Sequence, residues 1–192
     1  MELDEALEGR RSCRAFQSDT LTEEQINRLI AAFTLAPSPL NLQPWQFVVT
    51  TDPQVKAQVR SVARDARQAV MDQGGPGWVA KYSFEFLEQA PVLLSILCDL
   101  AKGGLGNYFN QPHGALMAAS AGIQNLMLTA AEQGLGTLWF TFFDPNQMRL
   151  VLNVPGNLEL AAIIPIGVPA DSPKSPPRKP AVIHQQRYQQ ET

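Results

Sequence analysis

Three groups of polar residues in this sequence have the types and spacing needed to hold a cofactor. The first comprises Arg10, Arg11, Ser12 and Arg14, which places three guanidinium groups and a hydroxyl within five residues. Guanidinium groups bind phosphate through forked, charge-assisted hydrogen bonds, so this cluster predicts a phosphate site. The alternative is that these cations follow a short helix and interact favourably with the dipole at its C-terminus.

The second group lies on a loop that prolines make rigid and that leads into an apolar segment beginning at Trp45. Its polar and proline residues are Pro37, Ser38, Pro39, Asn41 and Gln43. Amide side chains donate and accept hydrogen bonds at once, which suits a heterocycle whose edge alternates donors and acceptors. The alternative is a rigid loop that only directs Trp45 into the core.

The third group, Pro176-Pro177-Arg178-Lys179, lies in a tail that begins at Pro169 and contains five of the 15 prolines. Prolines prevent a regular helix or a central strand there before about Ala181. Fully extended, this tail spans on the order of 80 Å, far enough to embrace a neighbouring subunit. We therefore divide the chain into one domain, residues 1–168, and an extended C-terminal tail, residues 169–192.

The motifs that usually carry protein-based catalysis are missing from the sequence. There is no GxGxxG, GxxxxGK[ST], GxSxG, HExxH or CxxC pattern, and the two histidines are too few for a His-rich metal site. We therefore assign no catalytic side chain and no metal ligand. If the protein is an enzyme, a bound cofactor carries the reaction.

Composition limits the class of protein. The chain has 192 residues, a hydrophobic fraction of 45% and a net charge of −3, which is typical of one globular domain and argues against nucleic-acid binding. Two cysteines and an N-terminus without an apolar core favour a cytoplasmic protein. Residues 105–131 contain no Asp, Glu, Lys or Arg, but their amides and proline argue against a membrane span. A helix so uniformly apolar requires cover on several sides, which a second subunit can supply.

The remaining elements follow from hydrophobic periodicity and helix caps. Helices are predicted over residues 2–8, from Thr20 or Thr22 to Ala36, from Asp52-Pro53 onward, and over residues 78–89, 114–133 and 145–152. Strands are predicted over residues 45–50, 91–98, 136–143 and 159–168. Because helices and strands do not alternate regularly, the fold class is α+β.

Taken together, the motifs resemble those of the nitroreductase family of flavoproteins. The opening RRSCRAF is similar to that family's RRSxRxF motif, and APSPLNLQPWQF to its APSxxNxQPWxF motif. AGIQNLMLTAAEQGLGTLW and AAIIPIGVP resemble its central helix and closing strand. The resemblance covers nearly the whole chain. It implies a mostly antiparallel sheet flanked by helices, in an intertwined homodimer with FMN at each interface.

The resemblance also implies roles for particular residues. Arg10, Arg11, Ser12 and Arg14 would hold the FMN phosphate and the edge of the ring, and Arg178 would close on the phosphate from the tail. Pro37, Ser38, Pro39 and Asn41 would come from the other subunit, with Gln43 nearby. A backbone N–H near Thr141 and Phe142 would bond flavin N5 and favour its reduced form. In larger members an Asn or Lys also reaches the flavin, and here only Lys81 and Ser83 lie in that region.

The activity that this implies is transfer of a hydride from NADH or NADPH to flavin N5, followed by reduction of an electron-poor small molecule such as a nitroaromatic or a quinone. Enone reduction, dehalogenation, dehydrogenation and a non-enzymatic flavin sensor remain alternatives. Relatives that fragment flavin or remove iodine depart from the Asn-x-Gln-Pro-Trp pattern, which favours the reductase.

Two further features bear on ligand binding. A basic stripe, Lys56, Arg60, Arg64 and Arg67, is either a solvated helix face or an attractor for the extra phosphate of NADPH. Phe84, Phe86, Tyr108 and Phe109 are either core residues or the lining of the open flavin face.

Overall fold

The structure is a computed structural model that describes residues 2–173 and 177–188. The described chain forms a sheet between two layers of helices. Its strands are β1 (Trp45–Thr50), β2 (Val92–Cys98), β3 (Gly136–Thr137) and β4 (Glu159–Gly167). Its helices are α1 (Leu3–Gly9), α2 (Glu23–Thr34), α3 (Pro53–Asp72), α4 (Phe86–Gln89), α5 (Gly114–Glu132) and α6 (Pro145–Val151).

The sheet has the strand order β1-β2-β4-β3, and each neighbouring pair is antiparallel. β2 lies at its centre, and all seven of its residues are buried. Leu94 and Ile96 face α2 and α5, whereas Leu93 and Leu97 face α3, α4 and α6. The uninterrupted apolar run of β2 therefore reflects burial on both faces of the sheet, as the sequence predicts.

Local cap chemistry fixes where several helices begin. The Thr22 hydroxyl accepts a hydrogen bond from the backbone N–H of Gln25, and the Gln25 Oε1 accepts one from the backbone N–H of Thr22. Asp52 and Asp144 cap α3 and α6, each followed by a proline at the first helical position. These caps satisfy N–H groups that have no partner inside the helix, which confirms the predicted starts.

Two predicted elements are wrong in extent. Residues 78–89 do not form one helix: a 3₁₀ helix, Gly77–Lys81, is separated from α4 by residues 82–85. Phe84 has φ = +57° there, a conformation that an α-helix does not contain. The predicted strand 136–143 pairs as a ladder only over β3, with one isolated bridge from Phe140 to Ile163. Phe140 is buried in the core and Phe142 and Phe143 pack against it, whereas Trp139 is partly exposed.

The N-terminal segment that carries the arginines lies along the sheet edge. Ser12 forms a parallel bridge with Thr137, and Phe16 forms an antiparallel bridge with Pro169. The backbone N–H of Cys13 donates to the Thr137 carbonyl at 2.9 Å. Residues 10–16 are thus held against β3 and the segment that follows β4.

The tail is described only in part. Pro176, Lys174 and Ser175 lie outside the described residues, as do residues 189–192. Residues 177–188 contain no helix or strand, and their side chains are exposed except for the half-buried His184. Among the described helices, none is long and apolar enough to cross a membrane.

Candidate functional site

The first part of the site is a cavity of about 620 Å³ beside the C-terminal end of α5. Arg10 and Arg11 line it, together with Cys13, Thr137 and Asp171. Burial lowers the pKa of Arg10, and the nearby guanidinium groups of Arg178 and Arg11 lower it further. Arg178 is therefore near enough to Arg10 to affect its charge in the described structure, although residues 10 and 178 are far apart in sequence.

Within the described residues no carboxylate forms an ion pair with this cluster, although Asp171 lines the same cavity. The ion pairs present there join Arg28 to Glu132 and Arg60 to Glu85 and Glu88, so Arg10, Arg11 and Arg178 have none. Unpaired cations held close together repel one another, and a dianionic phosphate bound between them would replace this repulsion with attraction. The arrangement thus fits the predicted phosphate site.

Arg11 has a different environment from Arg10. Its guanidinium group donates to the Glu8 carbonyl and, at 2.9 Å, to the Arg10 carbonyl. Those carbonyls belong to the C-terminal end of α1, where a cation interacts favourably with the helix dipole. The alternative interpretation of the basic cluster therefore applies to Arg11, although Arg11 also lines the cavity.

The second part of the site is a groove around Arg14, formed by two adjoining cavities of about 190 and 570 Å³. Both are lined by Arg14, Tyr82, Phe84 and Phe86, and we call this region the Arg14 groove. The smaller cavity also contacts Trp78, Trp139, Thr141 and Phe142, and the larger one Lys81, Ser83, Glu85 and Gln89. The structure thus brings Arg14 together with Thr141 and Phe142, and it adds Lys81 and Ser83.

The backbone at Thr141 and Phe142 has unused donors. Within the described part of the chain, neither N–H group donates to a protein acceptor. Thr141 is also exposed, so its N–H can reach a ligand in the groove. This is the property that a flavin N5 contact requires.

Phe84 holds the walls of the groove together. Its ring contacts those of Tyr82, Phe86, Phe140 and Phe142 at centroid distances of 5.7–6.1 Å. A left-handed backbone costs on the order of 1 kcal/mol or more for a bulky residue, and these contacts together offset it. Phe84 and Phe86 therefore serve as core residues and as groove lining at the same time.

The third part of the site, the loop from Pro37 to Gln43, lies elsewhere. Pro39 packs beside Gly104 and Gly114, at the N-terminal end of α5. The cavity that contains Arg10 adjoins Ala131, 17 residues further along the same helix. At 1.5 Å per residue the two sites are roughly 26 Å apart, so one subunit does not bring them together.

The loop itself is well defined. The backbone N–H of Gln43 donates to the Ser38 hydroxyl at 3.1 Å, and the Gln43 amide donates to Asn41 Oδ1 at 3.2 Å. Asn41 adopts φ = +55°, a region that Asn tolerates better than most residues. Tyr108 and Phe109 are strongly exposed near this loop and do not line the Arg14 groove.

Three of the four cations in the basic stripe on α3 bind other parts of the protein, whereas Arg64 is exposed. Lys56 is buried, and its Nζ donates to the carbonyls of Glu88 and Ala90. Arg60 pairs with Glu88 at 2.7 Å, and Arg67 donates to the Tyr82 carbonyl at 2.5 Å. Three of the four cations therefore fasten α3 to residues 82–90. Both interpretations offered by the sequence are wrong for these three, because the sequence does not show which carbonyls face α3.

Three further aromatic residues have no role predicted from the sequence: Trp78, Tyr82 and Trp139. Each lines the Arg14 groove, and Trp78 is 58% exposed. The available signal was the density of aromatic residues in segments 78–86 and 139–143. Aromatic residues are so often core residues that this signal gains meaning only once the cavity is seen.

The α+β fold places an unpaired arginine cluster and an aromatic groove along one sheet edge, an arrangement suited to a phosphorylated, flat ligand. Comparison with known proteins gives the family. The family model described as "Nitroreductase family" matches residues 7–168, and the chain belongs to this family, whose members are flavin oxidoreductases.

Individual relatives carry different names. The chain is 32% identical over 179 residues to 5,6-dimethylbenzimidazole synthase of Rhodospirillum rubrum, covering 88% of this chain and 82% of that enzyme. It is 30% identical over 195 residues to iodotyrosine deiodinase 1 of Sus scrofa, covering 93% of this chain and 66% of that protein. A solved structure of iodotyrosine deiodinase bound to FMN and 3-iodo-L-tyrosine superimposes with a TM-score of 0.84 at 23% identity, covering 97% of this chain and 100% of the other.

Proposed function

We propose that this protein is an FMN-dependent oxidoreductase that uses NADH or NADPH to reduce an electron-poor small molecule such as a nitroaromatic or a quinone. When bound, FMN supplies the two-electron chemistry, and the protein supplies binding, orientation and electrostatics. The observation that carries the proposal is the spacing of the arginines. Arg10 and Arg14 line separate cavities joined by an extended segment of about 13 Å, which matches a ligand with a phosphate at one end and a ring at the other.

Different residues bind the two ends of the cofactor in this proposal. Arg10, Arg11, Ser12 and Arg178 hold the phosphate end, where the cations lack carboxylate partners. Arg14 and the N–H groups of Thr141 and Phe142 hold the ring end. Donors fixed beside N5 favour negative charge on the ring without any rearrangement during the reaction.

The proposed site is completed by a second copy of the chain. Pro37, Ser38, Pro39, Asn41 and Gln43 lie at the wrong end of α5 to reach Arg10 of their own subunit. A two-fold dimer in which α5 packs near its counterpart brings each loop to the partner's arginines. Exposed apolar side chains on α1, on the loop and on α5 support such packing: Leu3, Leu7, Leu40, Leu42 and Met117. Residues 169–192 would then extend over the partner, as a tail outside the domain formed by residues 1–168.

Reductive dehalogenation is the second candidate. It is favoured by the similarity to iodotyrosine deiodinase 1 at 30% identity. That similarity does not support the expectation that such chemistry ranks below nitroreduction, which rested on the Asn-x-Gln-Pro-Trp pattern. Both reactions use the same flavin site, so the acceptor distinguishes them.

The first experiment is the visible spectrum of the purified protein, with and without NADH or NADPH in the absence of oxygen. A flavin band that bleaches supports the reductase and identifies the preferred donor. A flavin band that persists contradicts NAD(P)H dependence and favours a sensor or another electron source. Absence of a band after incubation with FMN refutes the proposed cofactor.

A second experiment tests the shared site. Arg10→Glu removes the phosphate contact, and Asn41→Asp removes an amide donor while keeping a residue that tolerates positive φ. Each variant alone should lose FMN. Dimers that reassociate from a mixture should recover roughly one quarter of the sites, because each mixed dimer keeps one intact combination. No recovery in mixed dimers places both residues in one site within one subunit and refutes the model.

A further inference from the structure

A carboxylate lines the same cavity of about 620 Å³ as the arginine cluster. Asp171 lies there with Arg10, Arg11 and Cys13, although a carboxylate repels a phosphate. Within the described residues the Asp171 side chain makes no ion pair and no hydrogen bond. The proposed phosphate site therefore contains an anion that phosphate binding does not explain.

The backbone that precedes Asp171 is fixed to the N-terminal segment. The N–H of Ala170 donates to the Ala15 carbonyl at 3.0 Å, and Phe16 forms its antiparallel bridge with Pro169. Asp171 follows directly after these contacts, so its backbone cannot move away from the cavity without breaking them. The carboxylate is therefore a fixed part of the cavity wall.

The direction of this pairing gives the position of Asp171 along the N-terminal segment. Because the two segments are antiparallel, the residue after Ala170 lies beside the residues that precede Ala15. Burial raises the pKa of the Cys13 thiol, and the negative charge of Asp171 raises it further, which also places the carboxylate near Cys13. Cys13 lies between Arg10 and Arg14 in sequence, and thus between the proposed phosphate end and ring end of the site.

We propose that Asp171 accepts a hydrogen bond from a hydroxyl group of the ribityl chain that joins the phosphate of FMN to its ring. An ionised carboxylate offers only acceptors, and hydroxyl groups are the donors that this chain carries. The hydrogen bond offsets the repulsion between the same carboxylate and the phosphate. This inference rests on the proposed function, because FMN is the cofactor named there. It makes the site selective for a phosphorylated flavin whose linking chain carries hydroxyl groups.

The test compares FMN with its phosphopentyl analogue, in which hydrogen replaces every ribityl hydroxyl group while the phosphate and the ring are kept. The two flavins compete for the purified protein, and chromatography of the flavin that stays bound after filtration gives the ratio of their affinities. Dilution of the purified protein, followed by flavin fluorescence, gives the affinity for FMN itself. One hydrogen bond to a charged group predicts a preference of about tenfold for FMN over the analogue.

Substitutions of Asp171 separate the hydrogen bond from the charge. Asp171→Ala should abolish the preference: the analogue binds about twofold to fivefold more tightly without the repulsion, and FMN binds more weakly by a similar factor. Asp171→Asn keeps an acceptor oxygen and removes the charge, so it should tighten the analogue equally and retain part of the preference for FMN. Asp19→Ala is the matched control, because Asp19 is an exposed carboxylate outside the cavity, and it should change neither affinity.

Three results overturn the inference: equal affinity of the unmodified protein for the two flavins, an unchanged preference in Asp171→Ala, or a change of both affinities by the same factor in that variant. Tightening of both flavins would leave Asp171 only its repulsion, and weakening of both would leave it only a structural role. Because binding needs no turnover, these outcomes are separate from failure of the proposed reaction. A flavin that resists NADH and NADPH can still show the Asp171-dependent preference, and an active reductase can lack it. A protein that binds neither flavin refutes both proposals.

Discussion

Replacing Lys56 with methionine should destabilise the protein strongly, although lysine is usually a tolerant surface residue. Lys56 is 8% exposed, and its Nζ donates to the Glu88 carbonyl at 3.0 Å and to the Ala90 carbonyl at 2.8 Å. Pro91 follows Ala90 and has no N–H, so the turn after α4 has fewer local donors. Lys56 supplies the missing donors from a different helix.

The magnitude follows from those two contacts. A buried hydrogen bond to a charged group contributes about 1.5–3 kcal/mol, and a carbonyl left without a partner adds its own desolvation cost. Methionine keeps most of the aliphatic length of lysine, so packing is largely preserved. We expect Lys56→Met to lower the free energy of unfolding by about 2–4 kcal/mol. For a chain of this size the melting temperature should fall by roughly 6–12 °C.

The assay is urea unfolding at one fixed protein concentration, because subunit association would contribute to the apparent stability. Arg64→Met is the matched control: Arg64 lies on the same stripe of α3, is exposed and makes no hydrogen bond within the described residues. It should change the unfolding free energy by less than about 0.5 kcal/mol. If Lys56→Met is as mild as the control, Lys56 does not support residues 82–90 and the structural interpretation of the stripe is refuted.

Three other predictions concern separate parts of the molecule. Arg178→Gln should weaken FMN binding about tenfold or more, measured by flavin fluorescence on dilution, because one charge-assisted phosphate contact is lost; unchanged affinity contradicts the phosphate assignment. Gly122→Ala should lower the free energy of unfolding in denaturant by about 1–3 kcal/mol, because the new Cβ would lie 2.5 Å from the buried Phe33 ring. Gly156→Ala is the control and should leave this free energy unchanged, because the space around Gly156 is open. Burial raises the pKa of Cys98 to about 12 from 9.0, so the stability that the neutral thiol contributes is complete below pH 9 and is lost as pH rises toward 12. Cys98→Ala should therefore reduce the fall in unfolding free energy between pH 9 and 12. An unchanged fall in the variant would contradict the assignment of this pH dependence to Cys98.

The structure assigns different functions to residues that look alike in sequence. Arg10 has no carboxylate partner, Arg11 binds carbonyls at the end of α1, and Arg60 pairs with two glutamates. All three residues have the same side chain, and only their neighbours differ. Ligand binding is therefore expected where the positive charge remains unpaired.

The sequence by itself determined those features that depend on neighbouring residues. Caps at Thr22, Asp52 and Asp144 fixed helix starts, because a capping side chain and its N–H donor are only two or three residues apart. The apolar run of β2 determined a strand buried on both faces. The motif residues predicted the family, which the comparison confirms.

Only the tertiary structure shows the contacts and distances between residues that are far apart in sequence. The carbonyls that receive Lys56 lie 32 and 34 residues away, and Arg178 approaches Arg10 from the tail. The break at Phe84 arises because packing of its ring in the aromatic core outweighs helix propensity. The separation of Asn41 from Arg10 is likewise set by the length of α5 between them. Sequence spacing specifies none of these distances, because each depends on how complete helices and strands pack against one another.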